Sequence, residues 1–301
     1  MNSVRGVAAV CAFLALATAC GKSGDKGSKS REGSASKTIT VTGFQTPESV
    51  IWDSEQDVYF VSNINGAPNA KDGNGFISRV DSAGQITDTM FAKGLNAPKG
   101  LALVHDTLWV TDIDVVKSFN AETGAPIATI PVPGAIFLND IAAAPDGSLY
   151  VTDTAIRFSA SGSVEHPGTD QIFRITPDRK VSVALKSDTL GRPNGITWDE
   201  AKERFVIVPF GTGSLFAWTP GDAAPSVIGT GAGQFDGVEI AHGAIWVSSW
   251  ADSSVYRYVN GEGTSLIKGV PSPADIGYDA KRNRVLVPIF TGNRVEIWQI
   301  Q

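Results

Sequence analysis

The sequence contains very little cysteine, which removes several kinds of chemistry from consideration. Only two cysteines occur among 301 residues, Cys11 and Cys20, and both lie near the N-terminus. The rest of the chain therefore has no disulfide, no thiol nucleophile and no cysteine pairs for a structural zinc site. The residues next to Cys20 in the sequence indicate a different role for this cysteine.

Several catalytic motifs and an excess of positive charge are also missing. The chain has no Gly-x-Ser-x-Gly elbow, no Walker loop and no His-Glu-x-x-His motif. Serine hydrolysis, nucleotide hydrolysis and zinc-protease chemistry therefore have no sequence signal.

The chain has 25 Lys and Arg residues against 31 Asp and Glu residues, a net charge of −6. This acidic balance argues against a nucleic-acid partner and for a surface that attracts cations.

The first 38 residues have the composition of an export signal followed by a tether. Residues 7–19 form an apolar run of 13 residues, which is too short to span a bilayer and is typical of a signal peptide. Small residues lead from this run into Cys20 and resemble the lipobox of bacterial lipoproteins. We therefore expect removal of residues 1–19 and lipidation of Cys20, with an ordinary secretory cleavage as the alternative. Residues 20–38 are rich in Gly, Ser and Lys, and we expect them to be a disordered tether.

These features predict a location in the cell envelope. A lipidated Cys20 would hold the protein at the periplasmic face of a membrane, and Gly21 after it favours an outer membrane. If the lipobox is not used, the protein is expected to be secreted. We expect contact with the membrane through the lipid anchor only, no nucleic-acid partner and a monomeric protein.

Residues 39–301 are predicted to form one all-β domain with an internal repeat. Short β-rich runs alternate with Gly, Pro, Asp and Asn turns, and no amphipathic helix is evident. Six segments share the plan of an apolar strand, a hairpin and a second strand rich in Val, Tyr, Trp and Phe. The segments begin 51, 40, 55, 42 and 38 residues apart, at Pro47, Pro98, Leu138, Pro193, Phe235 and Pro273.

Four-stranded repeats of this length are typical of β-propeller blades, so we predict a six-bladed β-propeller. The last repeat stops after its third strand, at Gln301. The missing fourth strand can come from "KTITVTGF" at residues 37–44. Closure by this N-terminal strand would remove the free sheet edges that an open ring of blades would expose.

The second residue of each repeat is predicted to lie at one rim of the central channel, because the first strand of every propeller blade lines that channel. We call this set the channel ring; it consists of Glu48, Lys99, Asn139, Asn194, Asp236 and Ala274. Two carboxylates and two carboxamides that converge on one axis suit Ca²⁺ or a similar divalent cation. The alternative is a rim of solvated turn residues, because Asn-Gly and Asp-Gly are common turn pairs.

The channel ring resembles that of the regucalcin/gluconolactonase family, the senescence-marker-protein-like six-bladed propellers, and the resemblance covers residues 40–300. Glu48 in "PESV", Asn194 in "PNGI" and Asp236 in "FDGV" match the metal ligands of that family. Asn139 in "LNDI" matches a residue that helps to bind substrate and water. The resemblance implies a divalent metal, Ca²⁺ with Zn²⁺ or Mn²⁺ as alternatives, and hydrolysis of a small lactone or ester.

Two residues depart from the family pattern. Phe137 stands where the eukaryotic lactonases have an arginine that contacts sugar, so the sequence favours a less polar ester or lactone. Lys99 would repel a divalent cation, or replace it by bridging Glu48 and Asp236. Alternatively, Lys99 stands aside and orients a substrate oxyanion.

Two functions are therefore weighed. In the first, a metal polarises the carbonyl of a lactone or ester and Asp236 activates water as a general base, with Asn139 and Lys99 as further catalytic candidates. In the second, the protein is a non-catalytic propeller lipoprotein that binds a ligand or a protein. A metal-free channel with a Lys99–Asp236 contact would favour the second. In both, the long loops at 63–75 and 154–170 are expected to border the site.

Overall fold

The computed structural model describes residues 33–159, 163–167 and 170–301. Residues 33–301 form one compact unit. The predicted signal peptide, Cys20 and most of the predicted tether lie outside the described residues. Within the described ranges, no helix is long and apolar enough to cross a membrane.

The six predicted repeats form six four-stranded antiparallel sheets within the described residues, which confirms the six-bladed β-propeller. Blades one and two consist of β2 (Pro47–Asp53), β3 (Val58–Asn63), β4 (Gly75–Asp81), β5 (Ile86–Leu95), β6 (Pro98–Val104), β7 (Thr107–Asp112), β8 (Val115–Asn120) and β9 (Pro126–Pro131). Blade three consists of β10 (Leu138–Ala143), β11 (Leu149–Asp153), β14 (Gln171–Ile175) and β15 (Val181–Lys186), with a small hairpin of β12 (Arg157–Phe158) and β13 (Val164–Glu165) between its middle strands.

The remaining blades follow the same plan. Blades four and five consist of β16 (Pro193–Asp199), β17 (Arg204–Pro209), β18 (Ser214–Trp218), β19 (Ser226–Thr230), β20 (Phe235–Ala241), β21 (Ala244–Ser249), β22 (Ser254–Val259) and β23 (Glu262–Lys268). Blade six consists of β24 (Gly277–Asp279), β25 (Arg284–Ile289), β26 (Arg294–Ile300) and β1 (Ala35–Thr42). Single 3-10 turns occur at Asp188–Leu190 and Phe290–Gly292.

The N-terminal strand closes the ring of blades, as predicted. Strand β1 pairs antiparallel with β26 and places Val41 opposite Val295. The strand begins at Ala35, so residues 35–38 belong to blade six although their composition predicts a tether. Pairing of the backbone with β26 explains the difference, because the Ser34 carbonyl still accepts a hydrogen bond from Gln301 N at 3.0 Å.

Apolar side chains fill the wedges between neighbouring blades. The wedge between blades six and one, for example, buries Val41, Val50, Tyr59 and Ile297. The strand tryptophans pack into such wedges, as the sequence predicts; they are Trp52, Trp109, Trp198, Trp246 and Trp298. The first strands are thereby fixed around the channel, where their first residues form the candidate site.

Candidate site at the mouth of the central channel

A β-bulge at the start of the first strand turns the channel-ring residues inward. In blade four the pairing shifts register between Pro193 and Ile196, and the equivalent shift occurs in blades one, two, three and five. A bulge places extra residues outside the regular ladder and re-aims their side chains. Asn194 therefore lies within strand β16 and is buried, with 4% of its surface exposed. The alternative of a rim of solvated turn residues is wrong.

Hydroxyl side chains from the second strands fix the bulges. In blade three, Thr152 Oγ1 accepts a hydrogen bond from Asp140 N at 2.9 Å and donates to the Asn194 carbonyl of blade four at 2.6 Å. Ser248 makes the equivalent pair of bonds between blades five and six. These bonds satisfy backbone groups that the bulge removes from the ladder, and they set the register between neighbouring blades.

The glycine after Asn194 is required for close approach and not for a turn. A Cβ atom at Gly195 would lie 2.4 Å from the carbonyl oxygen of Asp236 in the next blade. A Cβ atom at Gly100 would likewise lie 2.4 Å from Asp140 Oδ1. Glycine at these positions lets the first strands approach one another around the channel.

We expect Gly195→Ala to lower the free energy of unfolding by about 1–3 kcal/mol, because the added methyl group forces neighbouring backbone apart. Thermal or urea unfolding of the variant measures the effect. Gly229→Ala is the comparison variant, since its Cβ would lie 3.3 Å from Gly261 O, a contact that a shift of a few tenths of an ångström relieves. Equal stability of the Gly195→Ala and wild-type proteins would contradict the close-approach argument.

The bulges bring five of the six channel-ring residues to one cavity. The cavity has a volume of about 240 Å³, and its polar floor includes Glu48, Lys99, Asn139, Asn194 and Asp236. Each of the five is at least nine-tenths buried, with 6% or less of its surface exposed. Ala274, the sixth member, is buried and supplies no polar group.

The two carboxylates of the floor are only partly compensated by the described residues. Glu48 Oε2 and Asp236 Oδ1 are buried and make no hydrogen bond to any described residue. Burial raises the pKa of Glu48 well above its usual value, and the charges of Asp236 and Asp275 raise that pKa further. Burial and the Asp275 charge also raise the pKa of Asp236. The charged form of this pair therefore needs a cation close by.

The donor set fits a divalent cation by its chemistry. Glu48 and Asp236, each with an unpartnered carboxylate oxygen, line one cavity together with Asn194, and carboxylate and carboxamide oxygens suit Ca²⁺. The described residues contain no group of three or more His, Cys, Asp and Glu side chains arranged to hold a metal. The predicted ligand set, Glu48, Asn194 and Asp236, has a different composition. It contains only two carboxylates, and its third ligand is the carboxamide oxygen of Asn194.

Lys99 does not bridge the two carboxylates. Its Nζ donates to the Ala97 carbonyl at 3.1 Å and lies 4.2 Å from the centre of the Phe137 ring. No ion pair joins Lys99 to Glu48 or Asp236 among the described residues. Burial lowers the pKa of Lys99 to about 8, although the Glu48 and Asp112 charges oppose this shift. The geometry matches the alternative in which Lys99 stands aside from the carboxylates.

Asn139 is held by a short chain of hydrogen bonds. Its Nδ2 donates to Thr154 Oγ1 at 3.0 Å, and Thr154 Oγ1 donates to the Pro193 carbonyl at 2.8 Å. This orientation fixes the carboxamide plane against blade four. Asn139 lines the cavity with Lys99, so both predicted catalytic candidates reach the same space as Asp236.

A second group of carboxyls lies deeper in the bulges and was not predicted. Asp140 and Asp275 are the residues directly after the channel ring in blades three and six, and both are buried. Asp140 accepts from Ile196 N at 2.7 Å, and Asp275 accepts from Ser49 Oγ at 2.5 Å. Burial raises the pKa of Asp275 to about 7. Asp140 and Asp275 are the third residues of "LNDI" and "PADI", but the sequence alone does not show that this position is buried.

Apolar residues form the walls above this floor. The predicted border loops contribute Ile64 and Pro68 from the first and Ile156 and Phe158 from the second. Three more aromatic residues line the wall, each directly after the second strand of blades four, five and six. We call them the aromatic wall: Phe210, Trp250 and Phe290.

The sequence profile described as the SMP-30/Gluconolactonase/LRE-like region matches residues 46–276. The chain belongs to this family. The match includes Glu48, Lys99, Asn139, Asn194 and Asp236 and both border loops, so the resemblance drawn from the channel ring is confirmed at the level of the family. No curated protein sequence matches the chain at a significant level.

Solved structures share the fold at low sequence identity. A gluconolactonase from Xanthomonas campestris has a TM-score of 0.64 and 15% identity, with 87% of this chain and 88% of that chain covered. A luciferin-regenerating enzyme has a TM-score of 0.67 and 14% identity, with 87% and 95% covered. A chain of a nidogen/laminin complex has a TM-score of 0.60 and 20% identity, with 74% and 80% covered. The propeller fold therefore occurs both in enzymes and in a protein complex, so the function has to be inferred from the site and not from the fold.

Proposed function

We propose that this protein hydrolyses a small lactone or ester at the channel mouth with the help of a divalent cation. One observation supports the proposal above the others: Glu48 and Asp236, each with a buried carboxylate oxygen that lacks a partner among the described residues, line the same cavity as Lys99 and Asn139. Membership of a family whose structural relatives include a gluconolactonase supports the reaction class. The bridging contact of Lys99 that would favour a non-catalytic binder does not occur among the described residues.

Glu48, Asn194 and Asp236 would hold the cation, which we propose to be Ca²⁺, with Zn²⁺ or Mn²⁺ as alternatives. These residues come from blades one, four and five and line the cavity floor together. A bound divalent cation would polarise the substrate carbonyl as a Lewis acid. It would also offset the mutual repulsion of the two carboxylates, which otherwise raises the pKa of Glu48.

The remaining steps belong to side chains of this protein. Asp236 accepts a proton from the water that attacks the carbonyl carbon, and the proton then passes to the departing alkoxide oxygen as the acyl C–O bond breaks. Lys99 lies beside the cavity with one hydrogen bond, to Ala97, so it can donate another to the developing oxyanion. Asn139, held by Thr154, orients the water or substrate. The product is a hydroxy acid from a lactone, or an acid and an alcohol from an ester.

The test is hydrolysis by the purified mature protein. The protein is freed of metal by a chelator and then assayed on aryl and alkyl lactones and esters with added Ca²⁺, Mn²⁺ or Zn²⁺. We expect hydrolysis of at least one substrate class, and we expect the rate to depend on the added cation. Rates equal to the buffer blank with every cation would contradict the proposal.

Lys99→Met separates the two roles that the sequence left open for this lysine. We expect kcat to fall by about ten- to a thousandfold with a smaller change in KM, because one oxyanion donor is lost. Lys180→Met is the control, since Lys180 is exposed and pairs with Asp178 at 2.7 Å. A rate equal to wild type in Lys99→Met would assign Lys99 a structural role only.

We also propose attachment of the mature chain to a membrane through Cys20. Labelled palmitate should enter the wild-type protein and not Cys20→Ala, and the variant should be released as a soluble domain. Equal labelling of the two proteins would show that Cys20 is not the anchor.

A further inference from the structure

The aromatic wall forms a continuous apolar surface on one side of the cavity. The ring centroids of Phe210 and Trp250 lie 5.7 Å apart, and those of Trp250 and Phe290 lie 5.4 Å apart. The interplanar angles of 78° and 57° are those of edge-to-face and tilted pairs. All three side chains are half-buried, so they support one another while part of each faces the cavity.

The wall lies next to the residue that is proposed to act as base. Trp250 and Asp236 line the same cavity. Trp250 Nε1 is buried and makes no hydrogen bond of normal geometry with any described residue. A flat ligand against Trp250 would therefore lie beside Asp236.

The opposite side of the cavity is also apolar. The ring centroids of Phe137 and Phe158 lie 6.1 Å apart, and Lys99 Nζ lies over the Phe137 ring, 4.2 Å from its centre. Among the described lining residues, polar side chains that could bond sugar hydroxyls are confined to the floor, apart from Thr154 and Trp250. A buried hydroxyl without a partner costs about 1–3 kcal/mol, so a polyhydroxylated lactone would lose affinity at these walls.

The cavity is also small. Its volume of about 240 Å³ lies below the range of about 300–1,000 Å³ that is usual for the sites of drug-sized ligands. This volume favours a small ligand with a single ring system over a larger one.

We propose that the substrate is a lactone or ester that carries one aromatic ring, and that Phe210, Trp250 and Phe290 determine this specificity. The aromatic ring lies against Trp250 between the two phenylalanines, and the carbonyl points to the floor at Asp236 and Lys99. The chemical step rests on the proposed function, but recognition of the aromatic ring does not require turnover.

The experiment measures binding with a probe that cannot be hydrolysed. The lactam 3,4-dihydro-2(1H)-quinolinone is titrated into the full mature protein by calorimetry, with gluconolactam as the polyhydroxylated comparison. We expect the aryl lactam to bind at least about tenfold more tightly than gluconolactam. Trp250→Ala and Phe210→Ala should each weaken the aryl lactam by about tenfold, because each removes an aromatic contact.

Phe91→Ala is the matched control, since Phe91 is a half-buried aromatic residue that packs on Phe60 at 5.1 Å in blade one. If Trp250→Ala does not fold, as judged by circular dichroism, Phe290→Ala and Phe210→Ala carry the test. Their affinities for the aryl lactam should fall, and that of Phe91→Ala should match the wild type.

The outcomes separate this inference from the proposed function. The aromatic specificity would be overturned if gluconolactam binds as tightly as the aryl lactam or more tightly. It would also be overturned if none of the aromatic-wall variants changes the affinity for the aryl lactam, even if a sugar lactone is hydrolysed. Binding of the aryl lactam that depends on the wall supports the specificity. If 3,4-dihydrocoumarin is then not hydrolysed with any cation, the specificity stands and the hydrolase proposal fails.

Discussion

Asp236→Asn is expected to lower the rate of lactone or ester hydrolysis by at least about a thousandfold. The substitution removes the proposed base and one of two carboxylates that would hold the cation, and a loss of general-base catalysis alone costs about 10²–10⁴-fold. Steady-state kinetics on the best substrate of the screen measure this effect. The side chain keeps its shape, so the buried position at 5% exposure should tolerate it.

Asp146→Asn is the control for Asp236→Asn. Asp146 is an exposed carboxylate that pairs with Arg174 at 2.7 Å on blade three, away from the channel floor. Its rate should equal that of the wild type. Hydrolysis by Asp236→Asn at the wild-type rate, with the same cation present, would remove the chemical basis of the proposed reaction.

Chelation is expected to lower the melting temperature, and Ca²⁺ is expected to restore it. The unfolded chain has no assembled site, since Glu48 and Asp236 come from different blades, so a cation that binds the folded protein stabilises it by mass action. At about 100 times its Kd, the cation would add about 2.7 kcal/mol, or about 5 °C in a domain of this size. Calorimetry or a dye-based melting curve records the shift.

Substitutions of the floor residues test whether the effect of Ca²⁺ on the melting temperature arises at the channel site. Glu48→Gln and Asp236→Asn should each abolish the shift, and Lys99→Met should preserve or increase it because one repelling charge is gone. Glu262→Gln, which changes an exposed carboxylate in blade five, should respond as the wild type does. A melting curve of metal-free wild type that Ca²⁺ leaves unchanged would rule out the channel cation.

Much of the architecture is predictable because each blade repeats the same pattern. The interval between repeats gives the number of blades, and the short last repeat gives the pairing of β1 with β26. The exact start of β1 is not predictable from composition. Residues 35–38 contain Ser and Lys, and they become strand only because β26 offers unpaired backbone groups beside them.

The candidate site is predictable only in part. The second position of each repeat identifies Glu48, Asn194 and Asp236, but the bulge that buries them depends on bonds such as that from Thr152 to the next blade. The deeper carboxyls and the aromatic wall follow from this three-dimensional arrangement. Trp250 directly follows the second strand of blade five, and only the structure shows that it lines the cavity.

The pairing of β1 with β26 also determines when the domain can be completed during synthesis. Thr38 Oγ1 donates to the Ile297 carbonyl across 259 residues of sequence. At about 5–20 residues per second, the ribosome makes these partners roughly 13–52 s apart. During that interval Val41 lacks its neighbours Val295 and Ile297, and contacts of such long range are slow to form. A chain that stalls before residue 294 therefore leaves β1 as an exposed, aggregation-prone strand however well blades one to five have formed.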